Sequence, residues 1–353
     1  MSRWPAPTRL VVWLPASLGD AVHATPALEA LREALPHTSI VWAGRRAPHE
    51  ALAGLDARHA VLPLEGPPRR GPAAAHGAAR LLRRVGADAI VLFEDAVGAA
   101  AAARGAGIPR RTGTALTWAR RRLVNDAVDV PAEAGRLLPR ARAQHFLDLV
   151  RPFGVTDPEP RAPRVVVEAF DAERAARRLA GCGLDAGAGW LVVAPGATGL
   201  ATARMPAARL ADAVRAVRAT HGLVPVVAVG PGEEVEGRDL AEAIAAPCVD
   251  LSARPPDVGE LKGLLQRARL VLAADAGPRR LAEALGVPTV VFAGPTDLVL
   301  MGPSRATLVR RDDLGCLGCR AAPCPLEHHA CLSGLDPRRL ADAVGAALDA
   351  STC

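Results

Sequence analysis

The chain has 353 residues, is half hydrophobic and 23% charged, and carries a formal charge of +6. That composition excludes a disordered chain, and the length suits two domains with a core each. All but one of its 43 Lys and Arg residues are arginine, the exception being Lys262, so phosphate contacts fall to arginine or to backbone N–H groups. No dense basic block interleaves with aromatics, so no nucleic acid partner is expected; an anionic substrate, a membrane surface or plain solvation all suit the mild excess.

Residues 10–14 read as a buried strand, too short for the apolar core of a signal peptide, and the chain is expected to stay in the cytoplasm. A helix is expected over 20–35, then strands at 39–43, 60–62 and 89–93, with helical stretches at 47–55 and 73–85 between them. The small apolar run 96–103 is alanine-dominated and far below the ~20 residues that span a bilayer. The Arg- and Pro-rich region 105–163 reads as a linker holding one helix over 142–153.

The alternation then restarts. Helix 171–180, strand 190–194, helix 206–220, strand 224–229, helices 233–245 and 257–268, strand 270–274, helix 278–285, strand 289–293 and a last helix 336–348 follow. Short continuous apolar strands alternating with helices imply parallel sheets covered on both faces. The expectation is α/β: two Rossmann-like, doubly wound domains facing a cleft, over 1–163 and 164–335, with a C-terminal helix and tail over 336–353. Ligands of such sheets sit at the carboxyl ends of the strands.

The loops at those ends hold the candidates. After the first strand comes Ser17-Leu18-Gly19-Asp20, with His23 beyond. Gly19 permits a tight turn, and Asp20 reads either as a helix N-cap or as a general base. Pro195-Gly196-Ala197-Thr198 offers backbone N–H groups to a phosphate, or is a plain turn. Gly230 opens a similar loop, whose Glu233 and Glu234 either meet a nucleotide or simply favour a helix start. Asp275-Ala276-Gly277-Pro278-Arg279-Arg280 stands at a strand-to-helix junction, a ready anion site, with Asp275 again a cap on the simpler reading. Pro295, Thr296 and Asp297 close the set. Cys316, Cys319, Cys324 and Cys331, with His328 and His329, have the donor types for zinc. Their spacing is not a pair of Cys-x2-Cys knuckles, so free thiols and no metal are expected.

In this order the loops resemble those of the family 9 glycosyltransferases, the bacterial ADP-heptose:lipopolysaccharide heptosyltransferases. The matching stretches are Ser17–Asp20 with Thr25-Pro26-Ala27-Leu28, then Pro195-Gly196-Ala197 before Pro206, then Asp275-x-Gly277-Pro278 with Leu281-Ala282-x2-Leu285-Gly286-Val287-Pro288, and Gly294-Pro295-Thr296-Asp297. The Cys316–Cys331 tail is similar to that of the heptosyltransferase II branch. The resemblance implies a GT-B fold, acceptor on the N-terminal domain and nucleotide sugar on the C-terminal one. It implies inverting, metal-independent transfer of heptose from ADP-heptose to the lipopolysaccharide inner core, with no cofactor.

Asp20 matches the family's catalytic base. Donor binding falls to Pro195, Gly196, Thr198, Arg204, Gly230, Asp275, Gly277, Pro278, Arg280, Pro295 and Thr296. Acceptor binding falls to Ser17, Leu18, Gly19, His23, Arg45 and Arg46, with Arg110 and Arg111 further candidates for its anionic groups. The acceptor implied is lipid A-core at the inner membrane surface, where the enzyme would sit peripherally. Two stretches depart from the family. Its Lys-x-Trp-Pro reads Ala203-Arg204-Met205-Pro206, and its Asp-Ser/Thr-Gly-x2-His reads Asp275-Ala276-Gly277-Pro278-Arg279-Arg280. Hence two alternatives stand: a relative using another nucleotide sugar, or a weak or silent homologue that binds lipopolysaccharide precursors. A nicotinamide oxidoreductase is disfavoured, because no Gly-x-Gly-x-x-Gly follows the first strand.

Overall fold

The computed structural model describes the chain except residues 1–3, 57–58, 65–71, 134–135, 138–139, 157–160, 185–186, 188, 197–200, 246 and 352–353. It divides into two compact units, Met1–Val165 and Val166–Cys353.

The first unit is built on strands β1 (Arg9–Trp13), β2 (Ser39–Gly44), β3 (Ala60–Pro63), β4 (Ala89–Leu92), β5 (Arg110–Gly113) and β6 (Asp126–Ala127). They form one parallel sheet in the order β3-β2-β1-β4-β5-β6. Both faces are buried, which is why the strands read as continuous apolar runs. Leu10, Val12 and Leu14 pack with Leu28, Leu31, Phe93 and Phe146 on one side, while Val11, Val41, Ile90 and Leu92 pack with Leu82 and Ala100 on the other.

Three expectations change here. The helix over 20–35 is two helices, Leu18–His23 and Thr25–Ala34, meeting at Ala24. The alanine run forms the helix Val97–Gly105, which packs against the helix Pro72–Val85. The region read as a linker supplies β5 and β6, a hairpin β7 (Ala132–Glu133) and β8 (Arg136–Leu137), and the helix Arg142–Val150. β5 and β6 lack apolar runs because polar pairs join them. Arg110 Nε donates to Asp126 Oδ2 at 2.7 Å and Thr112 Oγ1 donates to the same oxygen at 2.8 Å. Arg111 donates to Leu123 O at 2.7 Å and Ile108 O at 2.6 Å. Arg110 is 3% exposed and stacks on Phe153. Both arginines are spent inside the unit, which corrects their reading as acceptor contacts.

The second unit repeats the plan with β9 (Trp190–Ala194), β10 (Val224–Val227), β11 (Val249–Asp250), β12 (Leu270–Ala274), β13 (Thr289–Phe292) and β14 (Thr307–Val309). The order is β11-β10-β9-β12-β13-β14, again all parallel. The last helix, Pro337–Ala350, packs on the helix Ala207–His221 and joins this unit's core through Leu340, Val344 and Leu348. Among the described residues no helix is long and apolar enough to cross a membrane.

Candidate active site

In both sheets the chain winds outward in opposite directions from the central pair, β1 with β4 and β9 with β12. The crevice at the carboxyl ends of such a pair is where ligands of open α/β sheets bind. The candidates follow those four strands and their neighbours β2, β10 and β13.

After β1, Ser17 caps the helix Leu18–His23, its Oγ accepting from Asp20 N at 3.1 Å. The cap is therefore Ser17, not Asp20, and Leu18 and Gly19 lie inside the helix rather than in a turn before it. Asp20 falls in the first turn, where a negative charge suits the helix dipole. Its carboxylate, free of capping, accepts instead from Arg142 Nε at 2.9 Å, across 122 positions of sequence. Burial alone would raise the Asp20 pKa, but the Arg142 charge and hydrogen bond, the Ser17 hydrogen bond and His23 together hold it below the ordinary aspartate value. Asp20 is therefore ionised at neutral pH. His23 is buried at the helix end.

After β4 come two carboxylates that the sequence reading passed over. Glu94 accepts from Trp13 Nε1 at 3.1 Å. Asp95 accepts from Thr114 Oγ1 and lies 3.9 Å from both Arg120 Nη2 and His145 Nε2. Arg120 and His145 are wholly buried. Burial lowers the His145 pKa despite the pull of Asp95, so its ring is neutral at neutral pH. Two acids directly after an apolar strand were the signal for this pair; nothing local marks Arg142. After β2, Arg45 precedes the helix Arg46–Leu52, and Arg46 pairs with Glu50 while remaining 71% exposed at its side chain.

In the second unit β9 leads to Pro195 and Gly196; Thr198 lies outside the described residues. A Cβ on Gly196 would stand 1.9 Å from Glu233 Oε2, so any other residue there displaces that buried carboxylate. The Glu233 carboxylate also accepts from Gly230 N at 3.1 Å and is buried, which ties the loop after β10 to the loop after β9. Ala203 and Met205, at the departures from the family pattern, are both in the apolar core. Arg204 pairs with Glu236 and lies 3.7 Å from Glu233. Reaching a diphosphate requires it to leave Glu236.

After β12, Asp275 precedes the helix Gly277–Ala284, whose N-cap is Ala276, so Asp275 is not a cap either. Asp275 Oδ1 accepts from Arg280 Nη2 at 3.2 Å and lies 3.5 Å from Arg279 Nη1. Arg280 also donates to Met301 O at 3.1 Å. Arg279 is fully buried; burial, then Arg280, push its pKa down to about 10. Pro278 sits in the helix's first turn, which leaves the unpaired N–H groups of that turn for an anion. After β13, Pro295 and the buried Thr296 precede Asp297, which caps the helix Leu298–Met301.

A cavity of about 540 Å³ lies elsewhere, between Arg174, Arg178, Arg254, Asp257 and Glu260 on the helix flank. Its two acids are paired with Arg174 and Arg178, so it offers little unspent chemistry. The strand-end loops remain the site.

A GT-B architecture, two parallel six-stranded Rossmann-like sheets each with ligand loops at its switch point, is the class these features define. Residues 76–330 match the family model for glycosyltransferase family 9 (heptosyltransferase), and the chain belongs to that family. The fold is similar to that of the family 9 glycosyl transferase from Veillonella parvula DSM 2008, with 19% identity, a TM-score of 0.79 and 97% of each chain covered. It is similar also to that of the E. coli ADP-heptose lps heptosyltransferase II, with 19% identity, a TM-score of 0.78, and 98% of this chain and 100% of that one covered. The lipooligosaccharide heptosyltransferase 2 of Campylobacter jejuni serotype O:2 is 36% identical over 74 residues, 20% of this chain and 23% of that protein. The stretches shared with the curated relatives span less than half of those proteins.

Proposed function

We propose that the chain is an inverting glycosyltransferase that moves heptose from ADP-heptose to the lipopolysaccharide inner core, the first unit taking the lipid A-core acceptor and the second the nucleotide sugar. The observation that carries the reading is Asp20: released from capping by Ser17, held ionised by Arg142, and placed at the switch point of its sheet. An acceptor hydroxyl becomes a competent nucleophile when a carboxylate takes its proton. Attack from the face opposite the leaving nucleotide inverts the anomeric carbon, the geometry of inverting glycoside hydrolysis. Ser17, Leu18, Gly19, His23, Arg45 and Arg46 line the acceptor side, with the arginines facing anionic groups.

On the donor side, charge develops on the departing diphosphate. In this reading the first-turn N–H groups of Gly277–Ala284, the loops at Pro195–Gly196, Gly230 and Pro295–Thr296, Thr198, and the cations Arg280 and, once released from Glu236, Arg204 stabilise it, so the transfer itself needs no metal. Asp275 accepts hydrogen bonds from the sugar hydroxyls. The enzyme works in the cytoplasm, peripheral to the inner membrane, with its acceptor embedded there.

A second reading, that the donor is another nucleotide sugar, is favoured by one observation: Ala203 is in the core and Arg204 is held by Glu236. A thermal-shift panel of ADP, UDP, GDP and their sugar conjugates separates the two. ADP-selective stabilisation that is lost in Arg204→Ala is the expected result. Stabilisation by UDP or GDP instead would move the donor, and no response to any of them would remove the enzyme reading.

A further inference from the structure

Residues 310–329 form neither helix nor strand, and from 310 to 331 no residue is buried. So long a segment without a core of its own needs another source of order. Cys316, Cys319, Cys324 and Cys331 all line one cavity, with Thr202 and Pro295 on its other walls. Its volume, about 10 Å³, admits one water-sized body and no organic ligand.

The backbone bends round this point against its own preference. Arg320, Glu327 and His329 have φ of 52°, 55° and 46°, three of the four non-glycine residues in the left-handed region among those described. The two imidazoles are engaged with backbone: His328 Nδ1 accepts from Ala330 N at 2.9 Å, and His329 Nε2 lies 2.6 Å from Thr202 O. Each ring keeps its other nitrogen, but the four thiols by themselves make up a complete tetrahedral set.

We propose that Cys316, Cys319, Cys324 and Cys331 together hold one thiophilic divalent metal ion, zinc in tetrahedral thiolate coordination, as a clamp on the donor loops. Four soft thiolates are the ligand set that tetrahedral zinc takes in structural sites. Four S–H protons go to solvent as four metal–sulfur bonds form, and no electron moves. Among the described residues no group of three or more Cys, His or acidic side chains stands where it could hold a metal ion as it is, so binding requires the four thiols and their loop to rearrange round the ion.

What the ion would clamp is visible in the stitching. Arg320 N donates to Pro295 O at 3.2 Å, and Thr202 Oγ1 donates to Ala321 O. A Cβ on Gly294 would stand 2.7 Å from Cys331 Sγ, so glycine there lets the thiol reach the loop after β13. The segment therefore ties the loop at Pro295–Thr296 to the stretch leading to Arg204. The ion takes no part in the transfer reaction.

The test is elemental analysis of the untagged full chain, purified under reducing conditions without chelators, with cobalt substitution alongside. About one zinc per chain is expected, and the cobalt form should show intense thiolate-to-metal absorption. Cys319→Ser with Cys324→Ser should lose the ion, while Cys182→Ser with Cys248→Ser keeps it. Iron at the same stoichiometry with thiolate ligation supports the site and changes its occupant. Less than about a tenth of an ion per chain, before and after incubation with zinc, overturns the proposal. Cobalt without thiolate absorption, or recovery of the four residues as two disulfides, overturns it too. If the paired variant fails to fold, wild-type stoichiometry and the cobalt spectrum still decide. None of these readouts depends on transferase activity.

Discussion

At Asp20 the hydrogen bonding removes one of the two readings that the local sequence offers, the helix cap. Ser17 takes the capping role three residues earlier, and Arg142 takes the carboxylate. The consequence is a pH dependence with a definite sign. The folded pKa of Asp20 is depressed, so its ionised form, the form a base needs, persists as pH falls below the ordinary aspartate range. The stability that Arg142 adds through this pair is present above that range and is lost as pH falls through the depressed pKa. Removing Arg142 leaves burial opposed only by the Ser17 hydrogen bond and His23, so the pKa rises. Arg142→Ala should move the acid limb of the kcat profile to higher pH, measured as ADP release against pH; an unmoved limb would detach Arg142 from the base. The Ser17–Asp20 motif was legible in the sequence, but its partner was not, because Arg142 belongs to a helix distant along the chain. Lys262 shows the converse. It looked like a stray in an arginine-rich chain, yet it is wholly buried, with Nζ donating to Val166 O at 2.8 Å.

At the scale of elements, reading apolar runs found the central strands of each sheet and the edge strand β3, and missed β5, β6, β11 and β14. β1, β4, β9 and β12 are buried on both faces and read as Leu/Ile/Val/Ala runs; β5 is Arg-Arg-Thr-Gly and β6 is Asp-Ala. An ion pair and a hydroxyl hydrogen bond hold that edge, and such pairing leaves no period in the sequence. The ion pair is also a liability when broken, because the guanidinium it strands is 4% exposed. Asp126→Ala should destabilise the chain by about 3 kcal/mol in denaturant titration, the usual cost of an unpaired buried charge. A loss below about 0.5 kcal/mol would show that Arg110 finds another partner or that water reaches it. The break at Ala24 was likewise hidden, since the apolar spacing runs straight through it. On the donor side, Gly196 was legible as a glycine loop, whereas the Glu233 carboxylate that packs against it comes from the loop after the next strand.

At the scale of the whole molecule, one strand order occurs twice, and both times the candidate residues follow the central strands and their immediate neighbours. This much the alternation of short apolar runs with helices foretold, since a doubly wound sheet puts its ligand loops at one edge. Family membership rests on the match over residues 76–330, and the role of each unit in transfer rests on chemistry. The central claim is that Asp20 is the base. Its most direct test is single-turnover transfer from ADP-heptose to a lipid A-core acceptor by the full chain and by Asp20→Asn, with ADP binding to each measured in parallel. Asn keeps the shape and the Ser17 cap but takes no proton, so ADP affinity should stay within about twofold while the transfer rate falls by about 100-fold or more. Transfer by Asp20→Asn at close to the wild-type rate would contradict the account.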